Sequence, residues 1–231
     1  MNLNKIPKIF FSYNLKIITF LFLANFLGAY GQLINRLPLK IDSLFALNVE
    51  QNIPTFYSGL SLFLASFLLF IFSYQKKQKY SIKLYPFFLS LIFLILSYDE
   101  LFQVHEKITG VVQDLLILNN NIFLRYSWVI PYFILVVLTF LLSINFLKEL
   151  PKKISKNIII AGFIYCFGEL FLETIASMID FYSLQNPESL FYSYLSYSIS
   201  SLEELLGMFG ICLFNYSILC LIVNSNKYKK F

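Results

Sequence analysis

The sequence predicts an all-α integral membrane protein: a six-helix bundle forming one domain over residues 1–231, with both termini cytoplasmic. Three observations lead there. Of the 231 residues, 58% are hydrophobic and only 13% charged, with a mean hydropathy of +0.70, a balance foreign to soluble chains. Apolar runs of about 20 residues, the length that crosses a hydrocarbon core of about 30 Å, occur at 15–34, 56–74, 86–108, 128–147, 157–182 and 200–223. Lysines gather in every second connection between these runs.

The first run follows Lys5, Lys8 and Lys16 and ends on the small residues Gly28, Ala29 and Gly31. A cleaved signal peptide is the competing reading there, but the run is long and Gln32 to Asn35 carries no clear cleavage pattern, so it is read as a span. In the third run Pro86 suits a first helical turn and Gly110 a helix exit. Tyr126 and Trp128 look like interfacial anchors of the fourth run, with Pro131 close to its start. Lys76, Lys77, Lys79 and Lys83 separate the second run from the third; Lys148, Lys152, Lys153 and Lys156 separate the fourth from the fifth; Lys227, Lys229 and Lys230 follow the sixth. With the three N-terminal lysines, fourteen of eighteen basic residues fall on one side, against Arg36, Lys40, Lys107 and Arg125 on the other. The positive-inside rule makes the lysine-rich side cytoplasmic. Alternation with apolar spans also rules out a nucleic-acid-binding patch. Cys166, Cys212 and Cys220 all sit in apolar runs and read as small packing residues rather than disulfide partners, with a redox or soft-metal role as the alternative.

Acidic residues inside these runs are the chemically informative feature. A charged side chain at mid-bilayer costs about 2.5–3.5 kcal/mol on insertion scales, so one that persists is a candidate functional residue. Asp99, Glu100, Glu169, Glu173, Glu203 and Glu204 are such residues, and His105 is the basic companion among them. At a rise of about 1.5 Å per residue, Asp99 lies about 20 Å from the cytoplasmic end of its helix, His105 and Glu106 about 28–30 Å, Glu169 about 18 Å and Glu173 about 24 Å. Glu203 and Glu204 lie about 28 Å above Val223. Three helices thus bring acids to one level in the outer half of the bilayer.

Helical phase places Tyr165, Glu169, Glu173 and Asp180 in one arc, and Asp99, Gln103 and Glu106 on one face. An ideal helix rotates His105 about 120° from Asp99, toward a different neighbour. Glu204, Met208 and Asn215 align on the sixth helix, while Gly207 and Gly210 beside Glu203 let another helix approach closely. Each acid also has a plainer reading. Asp99, Glu100, His105 and Glu106 could form a polar cap at a helix end, Glu169 and Glu173 could be structural hydrogen-bonding groups, and Glu203 with Glu204 could be a helix N-terminal pair capped by Ser200 or Ser201.

With no lysine or arginine at this depth, the acids must be protonated, hold a metal ion, or do both by turns. Asp99, Glu169, Glu173 and Glu204 are the expected metal ligands; oxygen ligation suits a divalent cation such as magnesium, calcium or manganese, and one histidine would admit iron or zinc. The Glu-x-x-His pattern of di-iron bundles is absent, because Gln103 follows Glu100 by three, and so is His-Glu-x-x-His. Nothing local pairs His105 with Ser97 or Ser58 as a hydrolase would require. The Glu203–Glu204 pair resembles that of prenyl-protein-processing membrane proteases, but that family adds an arginine after the pair and further histidines, which Gly207 and a lone His105 do not match.

A broader resemblance covers most of the chain. Glu50 before Asn52, Ile53, Pro54 and Thr55, then Asp99 and Glu100 with His105 and Glu106, then Trp128 to Pro131, then Glu169 and Glu173 in a glycine-containing span, then Glu203 and Glu204 with Met208 and Gly210 resemble a widespread family of uncharacterised bacterial multi-pass membrane proteins. The resemblance implies a bacterial inner membrane, cyanobacterial plasma or thylakoid membranes included, nominates these residues, and leaves the reaction open.

Two classes of function are expected. The first is a proton- or cation-coupled transporter for a small cationic solute, with Asp99, Glu169 and Glu173 as its deep site, Glu203 and Glu204 at the mouth, and His105 relaying protons near neutral pH. Six helices are few for a carrier, and a homodimer would ease that objection. The second is a metal-dependent enzyme acting on a lipid or prenyl substrate, with His105 or a glutamate as acid/base. A scaffold in which the acids only specify helix packing is the third. The sequence leaves undecided whether Glu50 and Asn52 fold over the acidic level or meet water.

Overall fold

Backbone in hydrocarbon has to satisfy its N–H and C=O groups within the chain, which leaves helices as the economical solution for these apolar runs. The structure, a computed structural model, describes residues 3–33, 41–75, 80–116, 126–186 and 188–224. Much of the charge asymmetry, namely Arg36, Lys40, Lys76, Lys77, Lys79, Arg125, Lys227, Lys229 and Lys230, lies outside the described residues. Among those described there are helices and no strand: α1 (Ile6–Leu33), α2 (Ile41–Phe45), α3 (Ile53–Ser73), α4 (Tyr80–Phe102), α5 (Val104–Leu116), α6 (Val129–Glu149), α7 (Lys152–Cys166), α8 (Glu173–Gln185) and α9 (Leu190–Val223). A π-helical stretch, Phe167–Leu172, joins α7 to α8. Among the described residues six segments are long and apolar enough to cross a membrane: Leu3–Gly28, Ile53–Ser73, Leu84–Phe102, Val129–Glu149, Lys152–Gln185 and Leu190–Val223.

Several boundaries differ from the sequence reading. Pro86 lies inside α4 rather than in its first turn, and Gly110 lies inside α5 rather than at a helix end. The last helix starts at Leu190, ten residues before the apolar run, because Tyr- and Ser-rich sequence continues the helix outward. Glu203 and Glu204 are therefore deep within α9, and the reading of them as a capped N-terminal pair falls away. Trp128 precedes α6 but is only 7% exposed, so it is a packing residue rather than an interfacial anchor.

α9 is the central helix and packs on α1, α3, α7 and α8, while α3 lies along α4. Leu62, Leu69, Leu89, Phe146, Ala161 and Ile218 belong to the main apolar core, contributed by α3, α4, α6, α7 and α9. Small residues bring the helices close, as lipid-embedded interfaces favour. Ser97 Oγ donates to Gly59 O (2.8 Å) and Ser66 Oγ to Ser90 O (2.7 Å), tying α3 to α4. A Cβ on Gly210 would stand 2.8 Å from Tyr165 N, and one on Gly168 would stand 2.9 Å from Glu203 O; the close approach expected at Gly210 is that of α7 on α9.

Polar stitching supports the other end of α9. Asn25 is fully buried in α1; its Oδ1 accepts from Leu47 N (2.9 Å) and Tyr197 OH (2.5 Å), and its Nδ2 donates to Ser201 Oγ (3.0 Å). α6 stands apart from this arrangement and is the least buried of the six crossing helices. It joins α7 through the short turn at Leu150 and Pro151, and from there a cavity separates the two helices.

Candidate functional site

Asn52 fixes the loop that closes the site. As N-cap of α3 its Oδ1 accepts from Thr55 N (3.1 Å), while its Nδ2 donates back to Ala46 O (2.5 Å) and Val49 O (2.6 Å). One side chain thereby satisfies a helix start and a tight loop together. Residues 47–51 fold over the cavity, and Glu50 enters the site.

α4 ends at Phe102, and α5 begins after a single residue, Gln103, held at φ 54°. Gln51 is at φ 60°, and these are the two non-glycine residues with positive φ among those described. Gln51 Nε2 donates to Gln103 Oε1 (2.8 Å), so the two left-handed residues hold one another. Such a conformation costs of order 1–3 kcal/mol per residue and persists when its surroundings over-determine it. The break at Gln103 overturns the ideal-helix expectation for His105: instead of rotating away, the imidazole returns to Asp99.

His105 Nδ1 lies 3.2 Å from Asp99 Oδ1 and Nε2 lies 3.1 Å from Glu50 Oε1. Asp99 Oδ1 also accepts the His105 backbone N–H (2.7 Å), and Oδ2 accepts Tyr132 OH (2.6 Å). Asp99 thus caps the first turn of α5, orients the ring and anchors α6. Trp128 covers the ring with centroids 5.0 Å apart. His105 lies beyond the crossing segment; burial opposes its charge, but the hydrogen bonds to Asp99 and Glu50 outweigh that and push its pKa up to about 11. The two carboxylates thus favour the charged ring, which counts against a relay that titrates near neutral pH.

The remaining acids face one cavity of about 1280 Å³. Glu50, Asp99, Glu100, Glu106, Glu169, Glu173, Glu203 and Glu204 all line it, with His105, and no lysine or arginine does among the described residues. Every expected site residue is thus on one wall or another of a common space, although Glu106 is exposed at its rim. Glu169, Glu173, Glu203 and Glu204 face one another across the same space, with Trp128 on the lining beside them; carboxyl groups crowded in that way cannot all be ionised without a proton or a cation among them. The Glu169 carboxyl lies against α9 where Gly207 has no side chain, and a Cβ there would overlap its Oε1. Glu169 sits in the π-helical stretch, whose extra residue per turn re-aims side chains and recurs at functional sites. Asp180, expected on the same arc, is instead taken by Tyr126 OH and by Ser196 Oγ (2.7 Å).

The expected metal set is not assembled. Among the described residues no three His, Cys, Asp or Glu side chains converge closely enough to hold one ion, and both oxygens of Asp99 are already engaged. The site contains groups that sequence reasoning missed as partners: Glu50, Tyr132, Trp128 and the Gln51–Gln103 pair. The cap residue Asn52 followed by Ile53 and Pro54 was the available signal, since it fixes where the loop bearing Glu50 must turn.

Below the acids the cavity becomes apolar, walled by Leu89, Phe93 and Leu96 of α4, Leu135 of α6, and Ile211 and Phe214 of α9. Six apolar helices among the described residues, four of them lining a carboxylate-rich cavity, make this a multi-pass helical membrane protein with an internal acidic chamber. The chain belongs to the family described as Domain of unknown function (DUF8692), whose model matches residues 15–221. No curated protein and no solved structure matches it.

Proposed function

We propose that this protein is a proton-linked carrier of a cationic solute, working in a bacterial inner membrane with both termini cytoplasmic and the acidic chamber in the outer half of the bilayer. The observation that carries the reading is the charge imbalance of the chamber: eight carboxyl groups line it with one histidine. At most one of those charges is balanced by the protein, and for the carboxyl groups within the apolar helices, Glu100, Glu169, Glu173, Glu203 and Glu204, desolvation opposes ionisation without a proton or a cation. A monovalent cation entering the chamber displaces one proton, so the total charge inside is unchanged. Glu169, Glu173, Glu203 and Glu204 exchange the proton; Asp99 and Glu50, committed to His105, hold the frame.

A metal-dependent enzyme is the weaker reading, because the required ligand set does not converge. A scaffold is weaker too, since packing alone gives no reason for a shared cavity. The test is proton movement in proteoliposomes loaded with a pH dye and given a gradient of tetramethylammonium, a cation that cannot itself carry a proton. Acidification of the side from which tetramethylammonium departs inverts with the gradient and is abolished by Glu173→Gln. No coupled proton signal from well-folded protein with tetramethylammonium, sodium or potassium would overturn the reading.

A further inference from the structure

The cavity is much longer than a small cation needs. It is lined from Ser200 to Ile218 on α9 and from Tyr85 to Glu100 on α4, about 27 Å and about 22 Å at 1.5 Å per residue. Its volume of about 1280 Å³ exceeds the roughly 300–1,000 Å³ of ordinary ligand pockets. The acids occupy one end; the rest is apolar. A hydrated ion gains nothing from such a wall, whereas an apolar chain removed from competing head groups does.

Phe140 of α6 and Ile159 and Phe163 of α7 line the cavity and are 53%, 46% and 70% exposed, against the buried lining contributed by Leu89, Ile211 and Ile218. Gly162 lies between them, also on the lining, and a Cβ added there would meet nothing within 4 Å. α6 and α7 both line the apolar part and contact each other sparsely, so the seam between them is the side from which a chain would enter. At the acidic end, Glu50 Oε2 is a buried acceptor without a hydrogen-bond partner among the described residues.

The geometry points to an amphiphile as the carried molecule, with a cationic head group received by the acidic chamber and one long apolar tail lying between α4, α6 and α9, admitted sideways from the bilayer past Gly162. This rests on the carrier reading for the head group and adds the tail and the route. Half of a hydrocarbon core of about 30 Å is the depth one leaflet's tails occupy, so a tail fits the apolar length with its head at the carboxyls. An anionic head is repelled by the same lining.

The experiment uses the full chain in phosphatidylcholine nanodiscs doped with hexadecyltrimethylammonium, hexadecanol or hexadecanoic acid, with retained ligand read as adducts by native mass spectrometry. Hexadecyltrimethylammonium is expected as a single adduct, retained about tenfold better than either matched-tail control, a difference of about 1.4 kcal/mol. Gly162→Trp should cut its retention about tenfold, while Gly110→Trp, at a glycine of α5 where an added Cβ also meets nothing within 4 Å and which is not on the lining, leaves it unchanged; unfolding midpoints near that of the parent show that both variants are folded. Equal or better retention of hexadecanoic acid, or full retention in folded Gly162→Trp, would overturn the inference. Tetramethylammonium exchange without hexadecyltrimethylammonium retention sinks the tail and the side entry but leaves the carrier reading standing. Hexadecyltrimethylammonium retention without any tetramethylammonium-coupled proton movement sinks the carrier reading and keeps the amphiphile site.

Discussion

Alanine placed at each of three glycines along the α7–α9 region should give three different results, because the atoms a new Cβ meets differ in kind. At Gly210 it would stand 2.8 Å from Tyr165 N, 2.9 Å from Tyr165 Cβ and 3.0 Å from Ala161 O. Backbone of a packed helix cannot step aside locally, so α7 and α9 must separate by several tenths of an ångström along their contact, and the cost falls at the upper end of the overpacking range, about 3 kcal/mol. At Gly207 the obstacle is the Glu169 carboxyl, the end of a flexible side chain; it rotates away for about 1–2 kcal/mol, leaving the fold intact and the chamber rearranged. At Gly162 nothing lies within 4 Å, and alanine should be neutral or stabilising by up to about 1 kcal/mol through helix propensity. Reversible unfolding in mixed micelles measures all three. A double-mutant cycle adds a sharper check: in a Glu169→Ala background Gly207→Ala should lose most of its cost, a coupling of about 1 kcal/mol or more, whereas Gly210→Ala keeps its own. Equal costs at Gly210 and Gly162, or additivity of Gly207→Ala with Glu169→Ala, would refute the close contact and the placement of Glu169.

Further expectations concern the clamp and the lid. His105→Gln leaves Asp99 and Glu50 without their cation and should destabilise by about 3–5 kcal/mol, as for a broken buried pair, with faster amide exchange across residues 46–52. His105 has its folded pKa raised from 6.5 to about 11, so its contribution is present in full below pH 6.5 and is lost as pH rises through about 11. The gap in unfolding midpoint between parent and His105→Gln should therefore narrow steadily toward alkaline pH; a gap that widens would contradict the clamp. Tyr132→Phe removes a 2.6 Å hydrogen bond to a carboxylate and should cost about 1.5–3 kcal/mol, again by unfolding. Asn25→Leu strands the Leu47 N–H and leaves the Tyr197 hydroxyl only its bond to Asn25 O, and should cost about 1–3 kcal/mol, loosening α1 from α9 before the α3–α4 pair melts.

The six crossings and the shared acidic level were legible in the sequence because both depend on counting: run length gives the spans, and rise per residue gives the depth of Glu169, Glu173, Glu203 and Glu204. What escaped was everything set by a departure from the ideal helix. One left-handed residue, Gln103, turns His105 back on Asp99, and no pattern of polar and apolar residues announces it. The π-helical stretch holding Glu169 and the continuation of α9 back to Leu190 shift phase and ends in the same way. Glu50 lies some fifty residues from His105 in sequence, and its approach depends on how Asn52 gathers the loop, a tertiary event with only a local capping signature. Pro86 was misplaced because a proline inside a lipid-embedded helix is tolerated where neighbouring groups relieve it, so it does not mark a start.

Infrared spectroscopy of carboxyl groups bears most directly on the central claim, that more acids meet in this chamber than the protein has cations to balance. In protein freed of amines and metal ions at neutral pH, the account predicts a protonated-carboxyl C=O band that shifts in heavy water and is reduced by both Glu173→Gln and Glu203→Gln, two of the carboxyl groups that line the chamber. A spectrum with every carboxyl ionised, or a band untouched by either change, would contradict it.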